Sequence, residues 1–183
     1  MSRMAALISV DGAHGAAVKA AARAILNDIG RKRGGISCWD ASGVFEELVV
    51  ADDEAGLPSA RTLLLLYAAD LAFRLRWEIR PALAEGRVIV AAPYVDTAIA
   101  FGRAAGIKAN WLTNLFAFAP RPAESHYVEK TAASAGRLSG LIELGCDRMA
   151  VLPGRAARDG FVTAAASHLR AAARRAGGRG SRA

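Results

Sequence analysis

The stretch Ala5-Ala6-Leu7-Ile8-Ser9-Val10-Asp11-Gly12-Ala13-His14-Gly15-Ala16-Ala17-Val18-Lys19 sets the fold. Residues 5–10 have the apolar density of a short buried strand, closed by Asp11-Gly12. The Ala-rich stretch 16–30 then reads as a helix ended by Gly30. A turn between a strand and a helix is where a phosphate-binding loop belongs, because helix N-terminal amides point at an anion there. That loop requires two glycines with four residues between them, then Lys, then Ser or Thr. Here the second glycine position is Ala17, the Lys position is Val18 and the hydroxyl position is Lys19.

Beyond this stretch, strands and helices alternate. After the loop Arg31-Lys32-Arg33-Gly34-Gly35, residues 36–39 suit a second strand, and 51–58 are polar. Ser59 caps a long helix over 60–84, with Pro81 near its last turn and Gly86 after it. Val88 to Ala91 is continuously apolar, as expected when both faces of a parallel sheet are covered. Helices follow over 95–105 and 108–118, then a strand over 125–130, a helix over 132–144, a strand over 149–152 and a closing helix over 158–175. The pattern predicts an α/β domain of three layers around a parallel sheet of about five strands.

Composition narrows the class. The chain has 183 residues, 53% hydrophobic and 22% charged, which fits one globular domain over 1–175 with a flexible basic Gly/Arg tail at 176–183. The longest apolar stretch, Leu63 to Ala69, is cut by Asp70. No membrane span and no signal peptide are expected, and the expected location is cytoplasmic. Cys38 and Cys146 show neither metal nor disulfide spacing, and no metal or cofactor is expected. The net charge of +7 is concentrated in Arg170, Arg174, Arg175, Arg179 and Arg182; the rest of the chain carries 19 basic and 17 acidic residues. Nucleic acid is therefore not expected as a partner except through this tail, which alternatively is a solvated, frayed end.

At the Asp11–Lys19 turn the chain resembles the thymidylate kinase family of P-loop nucleoside monophosphate kinases, whose loop reads acidic-Gly-x-x-Gly-x-Gly-Lys-Ser/Thr. The resemblance extends through Ala60-Arg61-Thr62-Leu63-Leu64-Leu65-Leu66-Tyr67-Ala68-Ala69-Asp70 and Ile79-Arg80-Pro81-Ala82-Leu83-Ala84-Glu85-Gly86, similar to the family's long helix and the loop after it. Val88-Ile89-Val90-Ala91-Ala92-Pro93-Tyr94-Val95-Asp96-Thr97 takes the place of the family's strand ending in Asp-Arg-Tyr, and the likeness runs on through Trp111-Leu112 and Phe116-Ala117. It implies the P-loop kinase architecture.

The departures concern phosphate and base. In the family the loop Lys reaches the donor phosphates and the hydroxyl helps hold magnesium; Val18 does neither. Lys19 is no substitute, since one residue along a helix turns a side chain by about 100°. Ala92-Pro93 replaces the Asp-Arg that lies near metal and phosphate, leaving only Tyr94. The resemblance places Leu71 where an arginine lies beside thymine, Ala98 where a polar side chain faces the base, and Phe101 where a Tyr follows. Tyr67 occupies the position of the base-stacking aromatic, or is a core aromatic. Asp11 stands where an acidic residue lies near the acceptor sugar, or is a helix cap. His14 is an anion donor or an exposed loop residue. Only 18 residues, 131–148, separate the strands where the family has a helix, an Arg-rich lid and another helix. Arg137 is the one residue left to mimic a lid arginine, and Asp147-Arg148 precedes the last strand.

These substitutions lead to three expectations. The first is a catalytically inactive thymidylate kinase-like protein acting as a homodimer or on an unknown protein partner, its interface formed by Leu64, Phe73, Leu75 and Trp77 on the long helix, where family members pair. The second is a small-molecule site in a remodelled, less charged cleft, drawn from Asp11, His14, Gly15, Lys19, Tyr67, Leu71, Pro93, Tyr94, Ala98 and Phe101. In that reading Val18, Leu71, Ala92, Pro93 and Ala98 share one apolar cavity. The third is residual nucleotide binding or weak thymidylate kinase activity.

Overall fold

The computed structural model describes residues 5–45, 58–129, 140–143 and 155–177. Its parallel sheet has the order β2-β3-β1-β4, with β1 at Ala6–Gly12, β2 at Gly34–Cys38, β3 at Val88–Ala92 and β4 at Glu124–Val128. The helices are α1 (Gly15–Ile29), α2 (Ala60–Arg74), α3 (Arg80–Ala84), α4 (Val95–Ala104), α5 (Ala109–Leu115) and α6 (Arg155–Gly177). Four strands are seen among the described residues; the expected fifth, at 149–152, lies outside them, as does most of the expected helix 132–144.

The period-two alternation of the strands builds the three layers. Ile8, Val10, Val88, Val90 and Ala92 face α1 and pack with its Val18 and Ala22. Leu7, Ile89 and Ala91 face the opposite layer, where α2, α4, α5 and α6 contribute Leu63, Ala98, Leu112 and Phe161. β1 and β3 are central, paired Ala6 to Val88 through Ser9 to Ala91.

Several boundaries differ from the sequence expectation. β1 runs on to Gly12 because Asp11 and Gly12 pair with Tyr127 and Val128 of β4. A Cβ on Gly12 would lie 2.6 Å from Val128 Cγ2 and 2.8 Å from its carbonyl oxygen, so this glycine serves the approach of two strands. β2 includes Gly34, over which Leu26 and Ile29 at the end of α1 pack closely, leaving a Cβ only a tight fit. The expected helix 60–84 is interrupted by a π-helical turn at Leu75–Ile79, in which the Arg80 amide bonds back to the Leu75 carbonyl. Pro81 lacks an amide and its ring crowds the carbonyl four residues before it; the wider turn accommodates both. The closing helix extends to Gly177, two residues into the expected tail.

Candidate functional site

The β1–α1 turn is short. Only Ala13 and His14 separate strand from helix, and the Val18 amide already bonds the His14 carbonyl at 3.0 Å. The first turn of α1 thus occupies the residues a phosphate loop would leave curled around an anion. Val18 is 2% exposed and faces the sheet, whereas Lys19 is exposed. Half-buried His14 precedes the helix in an extended conformation and offers it no side-chain cap.

Asp11 is a cap, but of a different helix from the one it precedes. Its Oδ1 accepts the Tyr94 amide (2.9 Å), the Thr97 amide (2.9 Å) and the Thr97 hydroxyl (2.7 Å), fixing the start of α4 to the end of β1. The Gly12 amide in turn donates to Thr97 Oγ1. Oδ2 of Asp11 is buried without a hydrogen-bond partner. Burial, then the nearby Asp96 charge, pushes the Asp11 carboxyl up to about 6 despite the donors on Oδ1. Asp96 itself accepts the Tyr127 hydroxyl at 2.6 Å.

The long helix carries a group the sequence reading missed. Asp70 and Arg74, four residues apart, are both fully buried, with Arg74 Nε 3.0 Å from Asp70 Oδ2 in an ion contact without hydrogen-bond alignment. Asp70 accepts the amides of Asp40 and Ser42 and the Ser42 hydroxyl, organising the loop after β2. Arg74 donates from Nη1 to the Pro93 carbonyl at 3.0 Å and from Nη2 to the Tyr67 hydroxyl at 3.5 Å. The spacing was a signal: an acid and a base at i and i+4 on a helix face whose neighbours are apolar.

Tyr67 is a core residue. Its hydroxyl donates to the Tyr94 carbonyl at 2.7 Å, and the Arg74 guanidinium lies 5.7 Å from its ring centre. Trp39 and Phe116 rings stand 6.0 Å away on other sides. Leu71, Ala98 and Phe101 are likewise at 0% exposure, and Tyr94 is buried with its hydroxyl on the Pro120 carbonyl. The structure therefore corrects the expectation of one apolar cavity. Val18, Ala92 and Pro93, with Gly15 and Lys19, do line a cavity of about 580 Å³, but Leu71 and Ala98 are sealed in the core away from it. His14 lines a separate cavity of about 770 Å³ between β4 and α6. The expected interface set is also corrected: Leu64 and Leu75 are interior, and the exposed apolar side chains of this helix are Leu65, Phe73 and Trp77. Arg137 and the 147–148 pair lie outside the described residues.

The fit to magnesium is poor. A lysine stands where the family's hydroxyl would meet the ion, and buried Ala92 where its carboxylate would; neither an ammonium nor a methyl ligates a hard dication. Among the described residues, no group of three or more His, Cys, Asp or Glu side chains is placed to hold a metal ion, and no helix is long and apolar enough to cross a membrane.

A parallel sheet in this order, with a strand–turn–helix at its centre, defines an α/β protein of the P-loop kinase fold. Comparison with solved structures agrees. Thymidylate kinase from Ehrlichia chaffeensis superposes with a TM-score of 0.59 at 17% identity, covering 69% of this chain and 72% of that one. In sequence, 58 residues are 43% identical to a probable thymidylate kinase of Pyrococcus horikoshii, 40% to one of Pyrococcus abyssi and 36% to one of Pyrobaculum calidifontis. Those matches cover 32% of this chain and 28% to 30% of the relatives, so the likeness spans less than a third of their length. No family model matches. The chain is thus similar to thymidylate kinases in fold over about two thirds of its length and in sequence over that 58-residue segment.

Proposed function

We propose that this thymidylate kinase-like chain does not transfer phosphoryl groups and acts instead through protein contact, first of all with a second copy of itself. The observation that carries the reading is the buried Val18 on a helix that begins at Gly15. Phosphoryl transfer depends on positioned cations and amides around the moving phosphate. Here the loop position that supplies the lysine is committed to the core, and its backbone to a helical turn. The acceptor side adds support, since Arg74 covers Tyr67, where a base would stack, and binds the Pro93 carbonyl.

The contact surface proposed is the exposed stripe Leu65, Phe73 and Trp77, flanked by Arg76. Apolar side chains exposed along one helix suit an isologous pairing, in which the same patch meets itself. An assay for ATP-dependent phosphorylation of thymidine monophosphate tests the catalytic half of the proposal. The expected result is no product above the protein-free control; turnover abolished by mutating Lys19 would overturn it.

A further inference from the structure

The 580 Å³ cavity lies at the C-terminal ends of β2 and β3, against the first two turns of α1. Crevices at this edge of a parallel sheet are where α/β proteins hold ligands. Half-buried Ile36 and Trp39 supply much of its apolar lining, with Val18, Ala22 and Pro93 buried behind it. One wall is Trp39, whose ring stacks on Phe45 at 4.1 Å and is so close to Gly140 that a Cβ there would lie 2.5 Å from it. Packed on both sides, this wall is preformed. The charged groups among the described lining are Lys19 and Arg23, one turn apart on α1, and Glu143. Among these described residues, two cations against one anion leave a single positive charge. Gly15 and Ala16 also line the space, at a helix start that receives no side-chain cap.

We propose that this cavity binds a monoanionic carboxylic acid with an aromatic or branched apolar body. The carboxylate lies at Lys19, Arg23 and the first-turn amides of α1, and the body lies against Ile36, Pro93 and Trp39. A volume of about 580 Å³ is in the range of small-ligand pockets. The apolar walls reward the body, and the net charge favours one negative charge over the two or more of a phosphate ester. Glu143 adds a penalty for the latter. The inference goes beyond the proposed function and does not depend on it: a chain that transfers no phosphate could have this site or lack it.

The test is titration of the full chain with 4-phenylbutyrate, its neutral amide, thymidine monophosphate and inorganic phosphate, followed by amide NMR shifts and calorimetry. Saturable binding of 4-phenylbutyrate is expected, with shifts at Gly15, Ala16 and Ile36. The neutral amide should bind about tenfold or more weakly, the loss expected for a charge-assisted contact. The K19Q/R23Q double variant should lose a similar factor while keeping its circular dichroism, because both side chains are exposed. Equal affinity for acid and amide in the unaltered chain overturns the proposal even if the variant fails to fold. So does tighter binding of thymidine monophosphate or phosphate at the same amides, or no saturation by about 10 mM acid, an affinity too weak to count as a site.

Discussion

Asp11 shows what one buried carboxylate does when its two oxygens have different surroundings. Oδ1 holds the start of α4 with three donors, and Oδ2 has none. With the folded carboxyl raised to about 6 from its ordinary value of 3.8, the native state binds a proton more readily than the unfolded chain. Its contribution to stability is therefore fully present below about pH 4 and is lost as pH rises through about 6, by ~3 kcal/mol in all. Urea unfolding from pH 4 to pH 7 should show the wild type losing about that much relative to Asp11→Asn; parallel curves would remove the argument. Arg74 poses the complementary case. Arg74→Met strands Asp70 as a buried unpaired charge and should cost about 3–5 kcal/mol, whereas Asp70→Asn with Arg74→Met should recover a large part of it. Denaturant unfolding of the single and double variants measures the coupling. The i, i+4 spacing of Asp70 and Arg74 was visible in the sequence, but the role of Asp11 was not. Asp11 caps a helix more than 80 positions away, and a sequence window shows only the helix next to it.

The elements were legible where the pattern was regular. The continuous apolar run of β3 announced a strand covered on both faces, and Ser59 caps α2 as its position implies, accepting the Thr62 amide at 3.1 Å. The sequence reading failed where the pattern carries no period. Leu63-Leu64-Leu65-Leu66 offers four leucines in a row, so nothing in it separates the buried Leu64 from the exposed Leu65. The π turn was equally hidden: Pro81 marked a disturbance without saying that the ladder would widen before it. That turn lies beside the exposed stripe and includes Trp77, at 61% exposure. A charge there should leave the core untouched and break pairing through this face. Trp77→Glu is expected to sediment as a monomer at concentrations where the wild type is a dimer, with an unchanged unfolding midpoint in the monomer range. A wild type that is monomeric at about 100 μM would dismiss the proposed interface, since that weak an affinity is typical of no stable dimer.

At the scale of the whole molecule, the P-loop kinase framework is present, and Val18, Tyr67 and Arg74 are buried within it. Val18 fills the α1 layer, Arg74 and Tyr67 close on each other, and Pro93 contributes a carbonyl to them. The framework was readable because hydrophobic periodicity specifies layers. The site was only half readable, because sequence shows which chemistry has left a position and not what fills the space. The proposed loss of nucleotide handling is tested by thermal unfolding with ATP, ADP, thymidine monophosphate and thymidine diphosphate, each with and without magnesium. A bound nucleotide at about a hundred times its dissociation constant would add ~2.7 kcal/mol and raise the midpoint by roughly 5–10 °C. No shift is expected in any of the eight conditions; a magnesium-dependent rise of that size would overturn the proposal.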